Sequence, residues 1–376
     1  MKTKETMKKI NLLTLISLVA LLLFAASCDD SIDTPPVQES ILPERFSIDV
    51  PDPLANPDAA NGRKAGRAAE GELNGNEIYE LLSLFIAIGE GAGELTEAIL
   101  GGLAFEIDRE FFLSYESDDD GRVKNLTVVK GDTYEGGDYE YSLTITDAES
   151  EGNDDGGKGM QVFWNKEVIK GVAIIKPYNL DRVKDAEAGD AIYKMEYSEE
   201  STNYDAHMIV TIDNLPLEDP SVDPYSISTL KMFVGKTGEV IDVYGNSYHP
   251  NATFFTDDLG FNWAFVASGI HKGSIGVAEV GLPGGSVDSD DREVLLVENS
   301  LKNVFTAQIQ MAFPGLPQEQ IDAYLQNTEA PGYFNSDGFI QGGESPDPLF
   351  DQFADRLQDL TPYNPAVIAA LEVNFE

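Results

Sequence analysis

The sequence predicts a mainly β fold of the α+β class: a curved antiparallel meander or half-barrel, with an amphipathic helix packed on its concave face and a C-terminal cap of helices and loops. Three observations carry this expectation. Between residues 105 and 283 apolar and polar residues alternate with period two in a dozen short runs. Glycine- and aspartate-rich turns separate those runs where helices would be needed for parallel pairing, so neighbouring strands are expected to be antiparallel. One segment ahead of them, 76–100, instead repeats its apolar residues every three or four positions.

The chain is read in four parts: 1–27, 28–71, 72–283 and 284–376. Lys2, Lys4, Lys8 and Lys9 precede an apolar run from Ile10 to Phe24, and the small residues Ala25, Ala26 and Ser27 lead to Cys28. That is the anatomy of an export signal peptide. Cys28 is the one cysteine of the 376 residues, so it has no intramolecular disulfide partner. The tetrad Ala25-Ala26-Ser27-Cys28 resembles the bacterial lipobox, with alanine where leucine is commoner. The resemblance implies a lipoprotein precursor cleaved before Cys28, which then carries the acyl chains that hold the protein on a membrane. Asp29 and Asp30 follow directly and resemble the short acidic export signal of Bacteroidetes lipoproteins, which implies display on the outer-membrane surface rather than its periplasmic face.

Residues 28–71 are rich in Pro, Asp, Ala and Gly and are expected to form a tether. Within it Phe46, Ile48 and Val50 alternate with polar partners, as an edge strand pinned to the body would. In 76–100, Ile78, Leu81, Leu82, Phe85, Ile88, Ala92, Leu95 and Ile99 define an apolar stripe opposite an acidic face. Gly89, Gly91 and Gly93 each lower helix propensity by about 1 kcal/mol against alanine, which suits a bend or a close approach to another backbone. An acidic polar face points to a helix packed on a sheet rather than on a membrane surface.

Strands are expected at 110–117, 123–131, 138–146, 159–165, 168–176, 191–198, 206–213, 226–234, 240–245, 252–256, 262–268 and 276–280. Beyond 284 the sequence reads as a cap, with a helix or long strand at 298–312, a helix opened by Pro317, a helix within 347–360, and a closing strand at 369–375.

A net charge of −41 excludes nucleic acid and anionic lipid headgroups as partners. The histidines, His207, His249 and His271, are scattered, and neither a nucleophile elbow nor a nucleotide-binding loop is present. Carboxylates are too numerous for any pair to single out a hydrolase. The acidic turns are the remaining ligand signal: Asp118 and Asp120, and Asp288 and Asp290, supply hard oxygen ligands of the kind calcium takes, although turn-forming aspartates have the same pattern. Trp164, Trp263, Tyr244, Tyr248, Phe254 and Phe255 lie in or beside strands, where they serve a core or a sugar-stacking surface.

The expected function is therefore binding or structural rather than enzymatic. The strand layout is similar to the half-barrels of periplasmic lipoprotein carriers, which implies a small apolar ligand held between sheet and helix. A surface glycan-binding accessory protein of a carbohydrate-uptake system, or a protein-binding module, is the alternative.

Overall fold

The computed structural model describes residues 46–55, 73–103, 110–166, 169–201, 203–223, 225–252 and 260–376. The leader 1–27, Cys28, Asp29, Asp30 and most of the 28–71 tether lie outside the described residues.

Thirteen strands form one open antiparallel sheet, paired in strict chain order. They are β1 (Phe111–Glu116), β2 (Val123–Tyr134), β3 (Gly137–Asp147), β4 (Lys158–Asn165), β5 (Lys170–Ile175), β6 (Ile192–Ser198), β7 (Ala206–Asp213), β8 (Thr229–Thr237), β9 (Val240–His249), β10 (Phe261–Ile270), β11 (Ile275–Gly281), β12 (Gly332–Asn335) and β13 (Gly338–Gly342). The meander follows from the turns. Glu135 and Gly136 both adopt positive φ, 48° and 78°, as a tight two-residue hairpin between β2 and β3 requires.

β2 runs past its expected end because Gly131, at φ 74°, interrupts the ladder opposite Glu140 without changing its register, which is the same at Lys130↔Tyr141 and Asp132↔Tyr139. β9 similarly continues through Gly245, where the Phe265 ring of β10 occupies the space of a side chain. Of the strand expected at 252–256 only Ala252 is described, and it lies outside any strand.

One long helix, α1 (Gly75–Leu103), crosses the inner face of the sheet and meets β6, β7, β8 and β13. Its buried Leu82, Phe85, Ile86 and Ala92 join Met160, Met195, Met208 and Met232 of the strands in one core. Each such side chain contributes about 1.5–3 kcal/mol by leaving water. The glycines permit this close packing: the missing Cβ of Gly93 would lie 3.0 Å from Ser47, 3.2 Å from Met195 and 3.5 Å from Met208. Phe46, Ile48 and Val50 are buried as the alternation implies, but their segment forms no ladder. Acids on α1 hold it instead. Glu97 Oε1 accepts the amides of Phe46 and Ser47, and Glu90 Oε1 that of Val50, each at 2.7 Å.

The region after residue 284 adds helices and also completes the sheet. α2 (Leu301–Ala312) and α3 (Gln318–Tyr324) fill the long connection from β11 to β12. β12 and β13 were missed in the sequence because four and five residues are too few to display a period. Tyr79 of α1 stacks on Phe339 at 4.9 Å, so the β13 end of the sheet lies against the helix. Next come α4 (Asp351–Leu357) and α5 (Pro365–Ala369).

The segment 369–375, expected to be a strand, is not one. It runs as a strap over the outer face and is bonded by side chains of β8, β7 and β4: Thr229 Oγ1 donates to the Ile368 carbonyl (2.9 Å), the Val373 amide to Asp213 Oδ2 (3.2 Å), and the Glu376 amide to Gln161 Oε1 (2.8 Å). Its apolar residues have a simpler use, packing Val373 against Phe163, Val172 and Ile174. Among the described residues no helix is long and apolar enough to cross a membrane.

Candidate functional site

The sequence-predicted ligand residues come to different places. Asp118 is exposed on the turn after β1, whereas Asp120 is drawn inward. Asp120 Oδ2 accepts from Lys124 Nζ at 2.9 Å and from the Arg182 amide at 3.0 Å, and Oδ1 accepts the Arg122 amide at 3.1 Å. Burial alone would raise the Asp120 carboxyl, but the Arg182 amide and Lys124 outweigh it and hold it below the usual range. Asp147 at the end of β3 extends the network, taking Arg122 Nε at 2.8 Å and Arg182 Nε at 3.2 Å. Sequence reading saw the aspartates and missed their basic partners, of which Arg122 and Lys124 are two and four residues downstream.

Asp288 Oδ1 accepts from Asn364 Nδ2 at 2.8 Å, and Asp290 is exposed. Among the described residues no three His, Cys, Asp or Glu side chains converge as a metal-binding group.

The histidines are dispersed, as the sequence implies. His249 Nδ1 meets the Tyr225 carbonyl at 2.7 Å and must donate to it, which leaves Nε2, 2.9 Å from Ser247 Oγ, to accept the hydroxyl proton. This has the outline of a nucleophile and its base. Both side chains are buried, however, and Phe261 stacks on the imidazole at 4.5 Å with Phe85 at 5.6 Å on the inner side. Burial lowers the His249 pKa to about 4, and among the described residues the pair is a buried, neutral core element.

The outer face carries the arrangement best suited to a ligand. His207, Phe233 and Tyr244 stand side by side on β7, β8 and β9, because Ile209 and Tyr244 are the register partners of Phe233 and His207 pairs with Gly235. The His207 and Phe233 rings are 5.7 Å apart at 16°, and Phe233 and Tyr244 are 4.6 Å apart at 15°. Tyr363, between α4 and α5, continues the row 5.3 Å from Tyr244, under Lys231 Nζ at 4.8 Å. Tyr204 flanks Phe233 at 5.3 Å and lies over Gly235, where any side chain would displace it.

Tyr204, Tyr244 and Tyr363 all have raised pKa values, chiefly from burial, with Tyr204 pushed up to about 12. All three phenols therefore stay neutral at physiological pH. His207 is lowered by burial, which outweighs Glu196.

Beside His207 opens a groove of about 250 Å³, lined by Tyr139, Lys170, Val172, Glu196, Glu200 and His207 among others. Lys170 lies 3.8 Å from Glu200. The groove thus has aromatic walls and hydrogen-bonding groups of both kinds, and it is open to solvent. Of the aromatics singled out in the sequence, Tyr244 belongs to the row, Trp164 and Trp263 are buried on the inner face, and Phe254 and Phe255 lie outside the described residues. His207, Phe233, Tyr204 and Tyr363 were missed because only strand register, together with the path of the chain between α4 and α5, brings them together.

No family model, curated protein or solved structure matches this chain.

Proposed function

We propose that this chain is a non-catalytic, lipid-anchored binding protein that works outside the cytoplasm, on the outer-membrane surface, and takes glycan on the outer face of its sheet. The anchor at Cys28 and the export signal at Asp29 and Asp30 rest on the sequence. The observation that carries the ligand reading is the open groove rimmed by Lys170, Glu196 and Glu200, whose aromatic wall of Tyr139 and His207 leads into the stacked row of Phe233, Tyr244 and Tyr363, with Phe233 buried within it. Sugar rings present apolar C–H faces to aromatic walls and hydroxyls to charged rims.

The groove adds two carboxylates against one lysine to an already acidic chain, so neutral or amino sugars suit it and uronic acids do not. An apolar ligand between sheet and helix is the weaker reading. Among the described residues that layer is filled by Leu82, Phe85, Ile86 and four methionines, which such a ligand would have to displace.

The full chain is to be tested on arrays of neutral, amino and uronate glycans. Retention on a neutral or amino class is expected, with Tyr244→Ala and His207→Ala each weakening it about tenfold, the effect of one lost contact of about 1.4 kcal/mol. Failure to retain any glycan, or retention that neither substitution changes, overturns the reading.

A further inference from the structure

The two edges of the sheet are not alike. β13 is five residues long, its pairing with β12 shifts register between Tyr333 and Phe334, and it is packed under α1. Among the described residues β1 has none of these protections. Its sequence FFLSYE contains neither proline nor lysine, its pairing with β2 is regular from Phe111↔Val128 to Glu116↔Val123, and Phe112 is 65% exposed, Leu113 45% and Tyr115 37%. Such an edge presents a row of unpaired backbone groups flanked by apolar side chains, which folded proteins ordinarily avoid.

Register separates the two sides of this edge. Phe111, Leu113 and Tyr115 oppose Val128, Leu126 and Lys124 and so lie on the inner side, which is apolar apart from the buried Lys124 paired with Asp120. Phe112, Ser114 and Glu116 alternate onto the outer side, and Glu110 precedes them there, next to the Lys130 amide that it accepts at 2.9 Å. Exposed Asp118 and Asp119 follow. Of the nearby cations, Arg122 and Lys124 are spent on Asp147 and Asp120, which leaves the exposed Lys130 against Glu110, Glu116, Asp118 and Asp119.

We infer that β1 is a strand-addition surface for an extended segment of a partner protein, in which apolar residues alternate with lysine or arginine. The added strand would set its apolar side beside Leu113 and Tyr115 and its basic side beside Glu110 and Glu116, extending the sheet by main-chain bonds. A second copy of this chain would instead bring like charges together across the edge. The inference uses none of the residues of the proposed glycan site.

The test uses the purified full chain and fluorescein-labelled octapeptides of Lys-Val, Glu-Val and Lys-Lys-Val-Val repeats, read by anisotropy and by hydrogen exchange. Binding of the Lys-Val peptide with new amide protection over 110–116 is expected, with at least tenfold weaker binding of the block-repeat and acidic peptides. Leu113→Lys should abolish it, and Glu116→Lys should shift preference toward the Glu-Val peptide. Equal binding of the block-repeat peptide would mean attraction to an acidic surface only and would overturn the inference. So would protection elsewhere, dimerisation lost in Leu113→Lys, or adsorption to phosphatidylcholine vesicles lost in that variant.

Discussion

The Val50 amide donates to Glu90 Oε1 at 2.7 Å, at a point where α1 and the segment 46–50 leave the carboxylate little water. Burial raises the Glu90 pKa to about 7, against the opposing bond from Val50 and with help from Glu94. His249, across the same core, is lowered to about 4. These shifts act oppositely on stability. The folded state binds the Glu90 proton more tightly than the unfolded chain does, so stability is lost as pH rises from about 4.5 to 7. It binds the His249 proton less tightly, so stability is lost as pH falls from about 6.5 to 4.

Each effect is about 3 kcal/mol at its limit. Glu90→Gln should therefore gain stability on the parent as pH rises from about 4.5 to 7, and His249→Gln as pH falls from about 6.5 to 4. Urea melts of parent and variants at half-unit pH steps measure both differences. A flat difference curve for Glu90→Gln would mean that the carboxylate is not desolvated.

Three glycines on one helix are expected to behave differently. A Cβ at Gly89 would run into Met232, and one at Gly93 into Ser47 and Met195, whereas Gly91 is exposed with nothing within 4 Å. Gly89→Ala and Gly93→Ala should destabilise by about 1–3 kcal/mol through overpacking. Gly91→Ala should stabilise by about 0.5–1 kcal/mol, because it meets no neighbour and recovers helix propensity. Denaturant midpoints of the three variants decide the matter.

The network at the end of β3 is sensitive to loss of one member. Asp147 accepts from Arg122, Arg182 and Ser150, and its side chain is fully buried. Asp147→Ala would leave Lys124 with Asp120 and Arg122 with Glu149 but would strip Arg182 of its Asp147 carboxylate, at a cost of about 3 kcal/mol. Asp118→Ala, on the same turn but exposed, should lie within about 0.5 kcal/mol of the parent. Thermal unfolding of both variants separates a structural network from a loop that matters only when it holds an ion.

Arg356 of α4 reaches both oxygens of Asp242, and Ser268 Oγ donates to Asp242 Oδ1 at 2.7 Å. Arg356→Met should raise hydrogen exchange over 351–376 while leaving β5 to β8 protected. Because Tyr363 lies between α4 and α5, the same variant should weaken any ligand held by the aromatic row.

Much of this architecture was legible from the sequence because strand alternation and helical periodicity are local properties. Residues 206–213 were bounded to the residue, since both faces of that strand have clear partners. What escaped was set by pairing at a distance. The row from His207 to Tyr363 joins residues more than 150 positions apart, and nothing in the neighbourhood of either residue announces the other. Aspartates were visible in the turn before β2, but the role of Asp120 was fixed by Arg182, a residue from another connection.

The strictly sequential order of the sheet also bears on how the chain assembles. Each strand from β2 to β11 finds its first partner immediately behind it, so pairing can advance hairpin by hairpin as the polypeptide lengthens, with little loop entropy at each step. β12 and β13, the strap over β7, β8 and β9, and the anchor of Asp242 all come from the final stretch of sequence. Until that stretch arrives, the outer face is uncovered and the growing end of the sheet is an adhesive edge. Vulnerability to aggregation is thus concentrated in the interval before the last hundred residues emerge, and a chaperone would find its natural client in that unfinished sheet.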